Sequence, residues 1–301
     1  MKPRRHAPPP PREENRLLAV AKQLRLKKSF SQNFLINQSV VDNIVSSLAI
    51  EEGDTVLEIG AGAGFLTEAL LKAASEKRAG LTAVEVDPRM IRHLTETFPP
   101  SQYPTLQLVH QDILKFDFDG IPVQRFKVVG NLPYQITSPI LFRLIGELND
   151  PDYPLRPRIQ RMTLMVQKEV AERMAASPCR AGKAKCYNSL SIACQMWFDV
   201  TLHQVVPARD FLPAPKVDSG IVTLIPRDTP RYPVSDWARF SLLVRSAFSH
   251  KRKTIRNALV QSGFAPTDRV EQALNRAGIP LVARAEALSI ETFGALFDAF
   301  S

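Results

Sequence analysis

Short apolar runs of strand length alternate with segments of helical spacing from residue 55 onward, and no other feature constrains the fold of this chain as strongly. Apolar runs of this length are typical of strands that are covered on both faces. Strands that alternate with helices form a parallel sheet with helices on both sides. The predicted strands are 55–59, 81–86, 106–109, 126–129 and 162–166, and helical spacing is found over 66–74 and 88–97.

The last two strand candidates, 200–206 and 220–225, have little helix between them, so we expect the sheet to end in an antiparallel hairpin. The run PRDTPRYPVS at 226–235 then interrupts the pattern, and the remainder is helical in period. We therefore expect an α/β domain over 29–228 and a small all-helical domain over 229–301.

The first 28 residues form a Pro-rich and mostly basic extension, which we expect to be disordered at first and then to form a short helix over 17–26. This extension is either an RNA-contacting arm or a solvated tail, and we favour the tail. The formal net charge of the whole chain is +9 and its pI is about 9.6, which suggests a polyanionic partner.

The three cysteines, Cys179, Cys186 and Cys194, have no CxxC pair and no neighbouring histidine. We interpret them as free thiols in a reducing compartment rather than as metal ligands, and we expect no metal site. The sequence has no apolar run of membrane-spanning length and no signal-peptide core, so we expect a cytoplasmic protein.

A glycine loop, Gly60, Gly62 and Gly64, lies directly between a predicted strand and a predicted helix in VLEIGAGAGFLTEAL. Glycine is required where the backbone turns tightly and approaches a ligand. The spacing GxGxG is tighter than that of a dinucleotide site and is typical of methyltransferases. Glu85 ends the next strand, where a carboxylate can bind a ribose diol; the alternative is a strand-end charge in water.

Asp112 follows the third strand in the same way, and its carboxylate could accept a hydrogen bond from the adenine amine of a cofactor. In open α/β sheets, ligands bind at the carboxyl ends of the strands. Three successive strand ends therefore predict one nucleoside pocket.

The fourth strand ends in Asn131-Leu132-Pro133-Tyr134, a sequence that suits methylation of an exocyclic adenine amine. The lone pair of such an amine is delocalised into the ring, so it must be localised before it can attack. The side-chain oxygen of Asn131 and the carbonyl oxygen of Leu132 can accept hydrogen bonds from the two N–H groups of the amine. Pro133 stiffens the turn, and Tyr134 can stack on a flipped base. The alternative interpretation is an ordinary turn after a strand.

Six segments together resemble the rRNA adenine N6,N6-dimethyltransferase family of the small-subunit type, in that family's order. They are SQNFL at 31–35, EIGAGAGFLT at 58–67, NLPYQITSP at 131–139, QKEVAERM at 167–174, FLPAPKVDS at 211–219 and HKRKTIRNAL at 250–259. The resemblance implies a Rossmann-like domain that uses S-adenosylmethionine and a helical C-terminal domain. It also implies dimethylation of two adjacent adenines near the 3′ end of 16S rRNA within a pre-ribosomal small subunit, by a protein that we expect to be monomeric.

The resemblance also implies roles for individual residues. The cofactor would be bound by Asn33, Leu35, Gly60, Gly62, Glu85, Asp112 and Asn131. Phe211 would stack on the target adenine opposite Tyr134, because two aromatic rings can hold a base by stacking on its faces and leave its amine free. The alternative is that Phe211 only caps the core next to the prolines.

Some positions depart from the small-subunit pattern. Ser31 replaces a usual glycine and matches relatives that methylate large-subunit rRNA, whereas Leu132 differs from the isoleucine of those relatives. Ala61 and Asn188 replace a frequent proline and a frequent glycine. A large-subunit adenine methyltransferase of the antibiotic-resistance type therefore stays open as an alternative, as does a non-catalytic assembly or transcription factor with the same fold.

Positive charge is concentrated in two segments that we predict to bind RNA phosphates. The first follows an apolar helical face over 240–248 and contains Lys251, Arg252, Lys253 and Arg256. The second contains Arg180, Lys183 and Lys185. For the first segment, the alternative is a solvated helix end.

Overall fold

The computed structural model describes residues 33–179, 187–250 and 252–300. The predicted N-terminal extension, with its helix at 17–26, lies outside the described residues. The same holds for four of the basic residues that we predict to bind RNA: Arg180, Lys183, Lys185 and Lys251.

The described chain contains a seven-stranded sheet and a separate pair of two-residue strands. The strands are β1 Phe34–Leu35, β2 Thr55–Ile59, β3 Gly80–Glu85, β4 Leu106–His110, β5 Phe126–Asn131, β6 Ile159–Gln167, β7 Phe198–Val206, β8 Phe211–Leu212 and β9 Ser219–Pro226. The order in the large sheet is β4-β3-β2-β5-β6-β9-β7. The first five strands are parallel, whereas β9 is antiparallel to both β6 and β7, which confirms the predicted α/β fold and its antiparallel end.

Ten α-helices accompany these strands in the described residues. They are α1 Gln38–Leu48, α2 Phe65–Glu76, α3 Pro88–Thr97, α4 Thr137–Ile145, α5 Lys168–Ala175, α6 Ser189–Gln195, α7 Trp237–Phe248, α8 Ile255–Gln261, α9 Thr267–Arg276 and α10 Ile290–Ala299. Helix α3 begins at the predicted residue because Asp87 accepts from the backbone N–H of Arg89 and Pro88 occupies the first turn.

Successive residues of the central strands enter two different apolar clusters, which shows why these strands read as continuous apolar runs. Val128, Leu164 and Val222 pack with helices α4 and α5, whereas their neighbours in sequence, Val129, Met165 and Ile221, pack with α1 and α2. The sheet is therefore covered on both faces.

The C-terminal helices share one of these clusters. Phe240 of α7 and Phe297 of α10 belong to the same apolar cluster as Met174 of α5, and the indole rings of Trp197 and Trp237 stack with centroids 4.9 Å apart. The last strand ends at Pro226, and only helices follow it in the described residues. The division of the chain near residue 228 stays a prediction.

Candidate active site

One cavity lies at the carboxyl ends of β2, β3, β4 and β5, where a parallel sheet places the residues that follow its strands. Ten of the residues predicted for the site line this cavity: Asn33, Leu35, Gly60, Gly62, Glu85, Asp112, Asn131, Leu132, Pro133 and Tyr134. The structure therefore brings together the N-terminal segment around Asn33 and Leu35, the glycine loop and the turn from Asn131 to Tyr134, which are distant in sequence.

The glycine loop has the backbone conformation that only glycine adopts without strain. Gly62 has φ of 56° and Gly64 has φ of 83°. A Cβ atom on Gly62 would lie 3.1 Å from the ring of Phe34, and a Cβ atom on Gly64 would lie 2.8 Å from Leu94 and Phe98. The loop thus permits close contact with the N-terminal segment on one side and with α3 on the other.

Glu85 holds the glycine loop as well as lining the cavity. Its carboxylate accepts three backbone hydrogen bonds of 2.8 Å, from Gly62 on one oxygen and from Val86 and Asp87 on the other. A carboxylate has about four acceptor positions, so one remains for a ligand hydroxyl. Binding of a ribose by Glu85 stays a prediction, and the structure adds a role in shaping the loop.

Asp112 caps a short 3₁₀ helix, Ile113–Lys115, by accepting from the backbone N–H of Leu114 with one oxygen at 2.9 Å. Near it, Val86 follows β3 with 47% of its surface exposed and also lines the cavity. An exposed apolar side chain in the same cavity as two acidic groups suits the flat ring of a nucleoside, with polar groups at its edges. Sequence reasoning missed Val86, although its position after the strand end could have indicated it.

The buried carboxyl of Glu58 belongs to the penultimate residue of β2, two residues before Gly60 of the glycine loop. It is 1% exposed and accepts a 2.7 Å hydrogen bond from the hydroxyl of Thr67, and its other oxygen has no hydrogen-bond partner among the described residues. Burial raises the pKa of Glu58 to about 8, and the nearby charge of Glu85 raises it further, against the lowering effect of the Thr67 bond. Sequence reasoning missed this group, although a carboxyl inside an apolar strand is itself a signal.

The amide of Asn131 is oriented by the N-terminal segment. Its Nδ2 atom donates to the backbone carbonyl of Asn33 over 3.2 Å, which leaves Oδ1 as the acceptor for another group. The backbone N–H of Leu132 donates to the carbonyl of Met165 over 2.9 Å. The turn that contains both residues is therefore fixed to the sheet.

Helix α4 anchors the next residue of the turn. The carbonyl of Pro133 accepts from the backbone N–H of Ile136 at 3.1 Å and from the hydroxyl of Thr137 at 3.0 Å. Sequence reasoning missed Thr137, although a threonine in the first turn of a helix, four residues after the proline, is a known pattern for such a bond.

Tyr134 lines the cavity, and its hydroxyl contacts the hydroxyl of Ser219 at 2.5 Å. Burial raises the pKa of Tyr134 above its ordinary value, against the lowering effect of the Ser219 bond. The hydroxyl therefore stays protonated near neutral pH and is not a base.

Phe211 does not line this cavity. It is 2% exposed and belongs to an apolar cluster with Leu35 and Val206, because β8 pairs with β1 and places Phe211 opposite Leu35. The alternative drawn from the sequence, an aromatic side chain that caps the core, describes this position. Stacking on a target base stays a prediction, and it requires the ring to leave the cluster.

A second, larger cleft lies between the C-terminal helices and helices α4, α5 and α6. Of the predicted RNA-binding residues, Arg252 and Lys253 line it and are exposed. Sequence reasoning missed three further arginines of its lining, which come from different elements: Arg173, Arg245 and Arg284.

Charge in this cleft is only partly neutralised. Arg173 pairs with Glu169, and Arg284 lies 3.7 Å from Glu286. Within the described residues, no ion pair is formed by Arg245, Arg252 or Lys253. The cleft thus has an excess of positive charge, which suits phosphate groups.

Arg256 is not part of this cleft. Its guanidinium forms a 2.6 Å ion pair with Glu271 of α9 and also donates to the side chain of Asn257. Its charge is partly neutralised by this pair, and its contact with RNA stays a prediction.

Neither a membrane-spanning helix nor a metal-binding cluster is found in the part of the chain that the structure describes. No helix there is long and apolar enough to cross a membrane. No group of three or more His, Cys, Asp or Glu side chains there could hold a metal ion.

Comparison with known proteins gives consistent matches over nearly the whole chain. The family model described as ribosomal RNA adenine dimethylase matches residues 23–301. Ribosomal RNA small subunit methyltransferase A of Shouchella clausii is 39% identical over 282 residues, which cover 91% of this chain and 89% of that protein. The protein of the same name from Streptococcus equi subsp. zooepidemicus is 41% identical and covers 91% of both chains.

Two solved structures have the same fold over most of the chain. The 23S rRNA methyltransferase ErmE aligns with a TM-score of 0.68 and 28% identity, covering 89% of this chain and 99% of that one. A dimethyladenosine transferase from Plasmodium falciparum aligns with the same TM-score and identity, covering 86% and 94%. This chain, with its glycine loop, paired strand-end acids and Asn131 turn in one cavity, belongs to the ribosomal RNA adenine dimethylase family, whose members use S-adenosylmethionine.

Proposed function

We propose that this chain transfers methyl groups from S-adenosylmethionine to the N6 amine of two adjacent adenines near the 3′ end of 16S rRNA. The product is N6,N6-dimethyladenosine, formed by a monomer during assembly of the small subunit in the cytoplasm. The observation that carries the proposal is the orientation of Asn131, whose nitrogen is held by Asn33 while its oxygen stays available in the same cavity as the glycine loop.

The residues of the cavity fit S-adenosylmethionine by their chemistry. Glu85 and Asp112 each keep an acceptor for a hydroxyl or an amine, and apolar side chains between them suit an adenine ring. The cofactor, when bound, supplies a methyl group on a positively charged sulfur, so no strong base is needed to drive the alkylation.

The turn from Asn131 to Tyr134, here the catalytic turn, orients the target amine for the reaction. Asn131 Oδ1 accepts a hydrogen bond from one N–H group of the target amine, and the carbonyl oxygen of Leu132 accepts a hydrogen bond from the other. These two hydrogen bonds localise the nitrogen lone pair. Both groups are fixed before the substrate arrives, because Asn33 and Met165 hold them, so little reorganisation is needed. Each transfer would form one N–CH₃ bond and break one S–CH₃ bond, whose electron pair stays on the sulfur as a neutral thioether, while the proton of the replaced N–H bond leaves to water.

Sequence similarity supports the small subunit as the substrate. The two solved structures, one a 23S rRNA methyltransferase and one a dimethyladenosine transferase, align equally well, so the fold does not distinguish them. The relatives with 39–41% identity are named for the small subunit, whereas the 23S enzyme is 28% identical. The retained acids and catalytic turn also argue against a solely non-catalytic role.

The basic cleft supports a folded RNA substrate. Arg245, Arg252 and Lys253 lie on its lining without ion pairs in the described residues, next to the domain that carries the cavity. Phosphate contacts of this kind position RNA without reading its sequence.

A methyl-transfer assay tests the proposal. Small subunits that lack the modification are incubated with the protein and labelled S-adenosylmethionine, beside large subunits, and digested rRNA is analysed by mass spectrometry. We expect dimethyladenosine in 16S rRNA only, and transfer that is slower by about 100-fold or more in Asn131→Ala. Label in 23S rRNA alone would support the large-subunit alternative, and absence of label in both would support a non-catalytic role.

A further inference from the structure

The hydroxyl of Tyr134 reaches a residue that is distant in sequence and has no place in the proposed reaction. Its contact with Ser219 Oγ is 2.5 Å long, and the two residues are 85 positions apart. Ser219 is fully buried and does not line the cavity, so it cannot touch a substrate there. Such a hydrogen bond acts on the substrate only through Tyr134.

The backbone of Ser219 is held from several sides. It begins β9, where it lies opposite Gln167 of β6 and Val206 of β7. The preceding residue, Asp218, accepts from the backbone N–H of Ala208 with its side chain and from that of Lys168 with its carbonyl. Ser219 is therefore a fixed point inside the sheet.

We propose that Ser219 is a positioning residue that holds the ring of Tyr134 in the cavity wall, so that a flipped adenine meets a preset stacking surface. This inference rests on the proposed function. A hydroxyl lies on the long axis of a tyrosine ring, so its hydrogen bond fixes the direction of that axis. The backbone of the turn is fixed separately, because Thr137 binds the carbonyl of Pro133.

Without Ser219 the Tyr134 hydroxyl loses its partner in a half-buried position, and the ring gains alternative orientations. The proposal gives the tyrosine two separable roles, because the ring face contacts the base while the hydroxyl secures the ring. Removing either side of the hydrogen bond should therefore have the same effect, and removing both should add nothing.

The test compares Ser219→Ala, Tyr134→Phe and the double variant in single-turnover methylation of unmodified small subunits. We expect each single variant to lower the apparent second-order rate for RNA about 3- to 10-fold, the range of one neutral hydrogen bond. The double variant should match the single ones, and calorimetry should give an unchanged dissociation constant for S-adenosylmethionine.

The matched control is Ser191→Ala. Ser191 is also fully buried, and its hydroxyl donates to the carbonyl of Arg173 at 2.5 Å, away from the cavity. We expect this variant to lose thermal stability like Ser219→Ala while keeping the wild-type rate. Equal rate losses in both serine variants, or multiplying losses in the double variant, would overturn the proposal.

A second measurement separates this proposal from the proposed function. The protein is labelled with 3-fluorotyrosine, and Tyr134→Phe identifies the ¹⁹F resonance of Tyr134 among the five tyrosines. Ser219→Ala should shift and broaden that resonance, and Ser191→Ala should not. If Ser219→Ala shifts the resonance but the wild-type protein methylates neither subunit, only the proposed function is refuted. If Ser219→Ala leaves the resonance unchanged and the wild-type protein is active, only the positioning role of Ser219 is refuted.

Discussion

Replacement of Glu58 by glutamine should make the stability of this protein less dependent on pH. Burial raises the pKa of Glu58 to about 8 from an ordinary value of 4.5. In the folded state the carboxyl therefore keeps its proton at pH values where the unfolded chain has lost it. Stability falls with rising pH wherever the folded state binds the extra proton, so the loss runs from about pH 4.5 to about pH 8.

The size of the effect follows from the difference between the two pKa values. While the folded state binds one proton more than the unfolded state, the free energy of unfolding falls by about 1.4 kcal/mol for each unit by which the pH rises. For a folded-state pKa of about 8, the loss between pH 5 and pH 8 is roughly 3 to 4 kcal/mol. Glutamine resembles the neutral acid and does not titrate, so Glu58→Gln lacks this loss.

Urea unfolding of both proteins at pH 5, 6, 7 and 8 measures the difference. Glutamine also places an amide group where the carboxyl oxygen has no partner among the described residues, and this lowers the free energy of unfolding by the same amount at every pH. The diagnostic quantity is therefore how the difference in free energy of unfolding between wild type and Glu58→Gln changes with pH. The exposed Glu76→Gln is the matched control and should show no such change. A difference between wild type and Glu58→Gln that stays constant from pH 5 to pH 8 would refute a neutral buried carboxyl.

Three further predictions concern binding and catalysis. Glu85→Ala should weaken S-adenosylmethionine binding about 10- to 100-fold by calorimetry, because charged hydrogen bonds contribute about 1.5–3 kcal/mol; an unchanged constant would remove Glu85 from the cofactor site. Replacing Arg252 and Lys253 by glutamine should lower RNA affinity and flatten its salt dependence without changing cofactor affinity; an unchanged salt slope would mean that these charges are only solvated. Asn131→Ala should lower the single-turnover rate at saturating cofactor about 100-fold or more, and more than Phe211→Ala; near-normal rates would refute its role in orienting the amine.

The sheet and the location of the cavity could be predicted from the sequence because both follow from local patterns. Apolar runs define the strands, and parallel strands place Glu85, Asp112 and Asn131 at one edge. The position of β9 between β6 and β7 could not be predicted in the same way. A hairpin pattern indicates that two strands pair with each other, but not which of the two pairs with β6.

Hydrogen-bond partners within the site could not be predicted, because they join segments far apart in the chain. The Asn33–Asn131 and Tyr134–Ser219 bonds span 98 and 85 residues. Arg256 illustrates the same limit, since its basic neighbours suggested an RNA contact while folding brings Glu271 beside it. Charge in a sequence shows what a residue can bind, and packing decides which partner is near.

The burial of Phe211 suggests why the segment that contains it matters even when its ring is away from the cavity. Phe211 lies opposite Leu35 in the β1–β8 pair, and this pairing fixes the segment that contains Asn33. The carbonyl of Asn33 in turn orients the Asn131 amide. Loss of the Phe211 side chain should therefore act partly through Asn131, by loosening the carbonyl that keeps its oxygen available for the target amine. An indirect effect of this kind is weaker than removal of Asn131 itself, because the amide can still sample the productive orientation when its partner is loose.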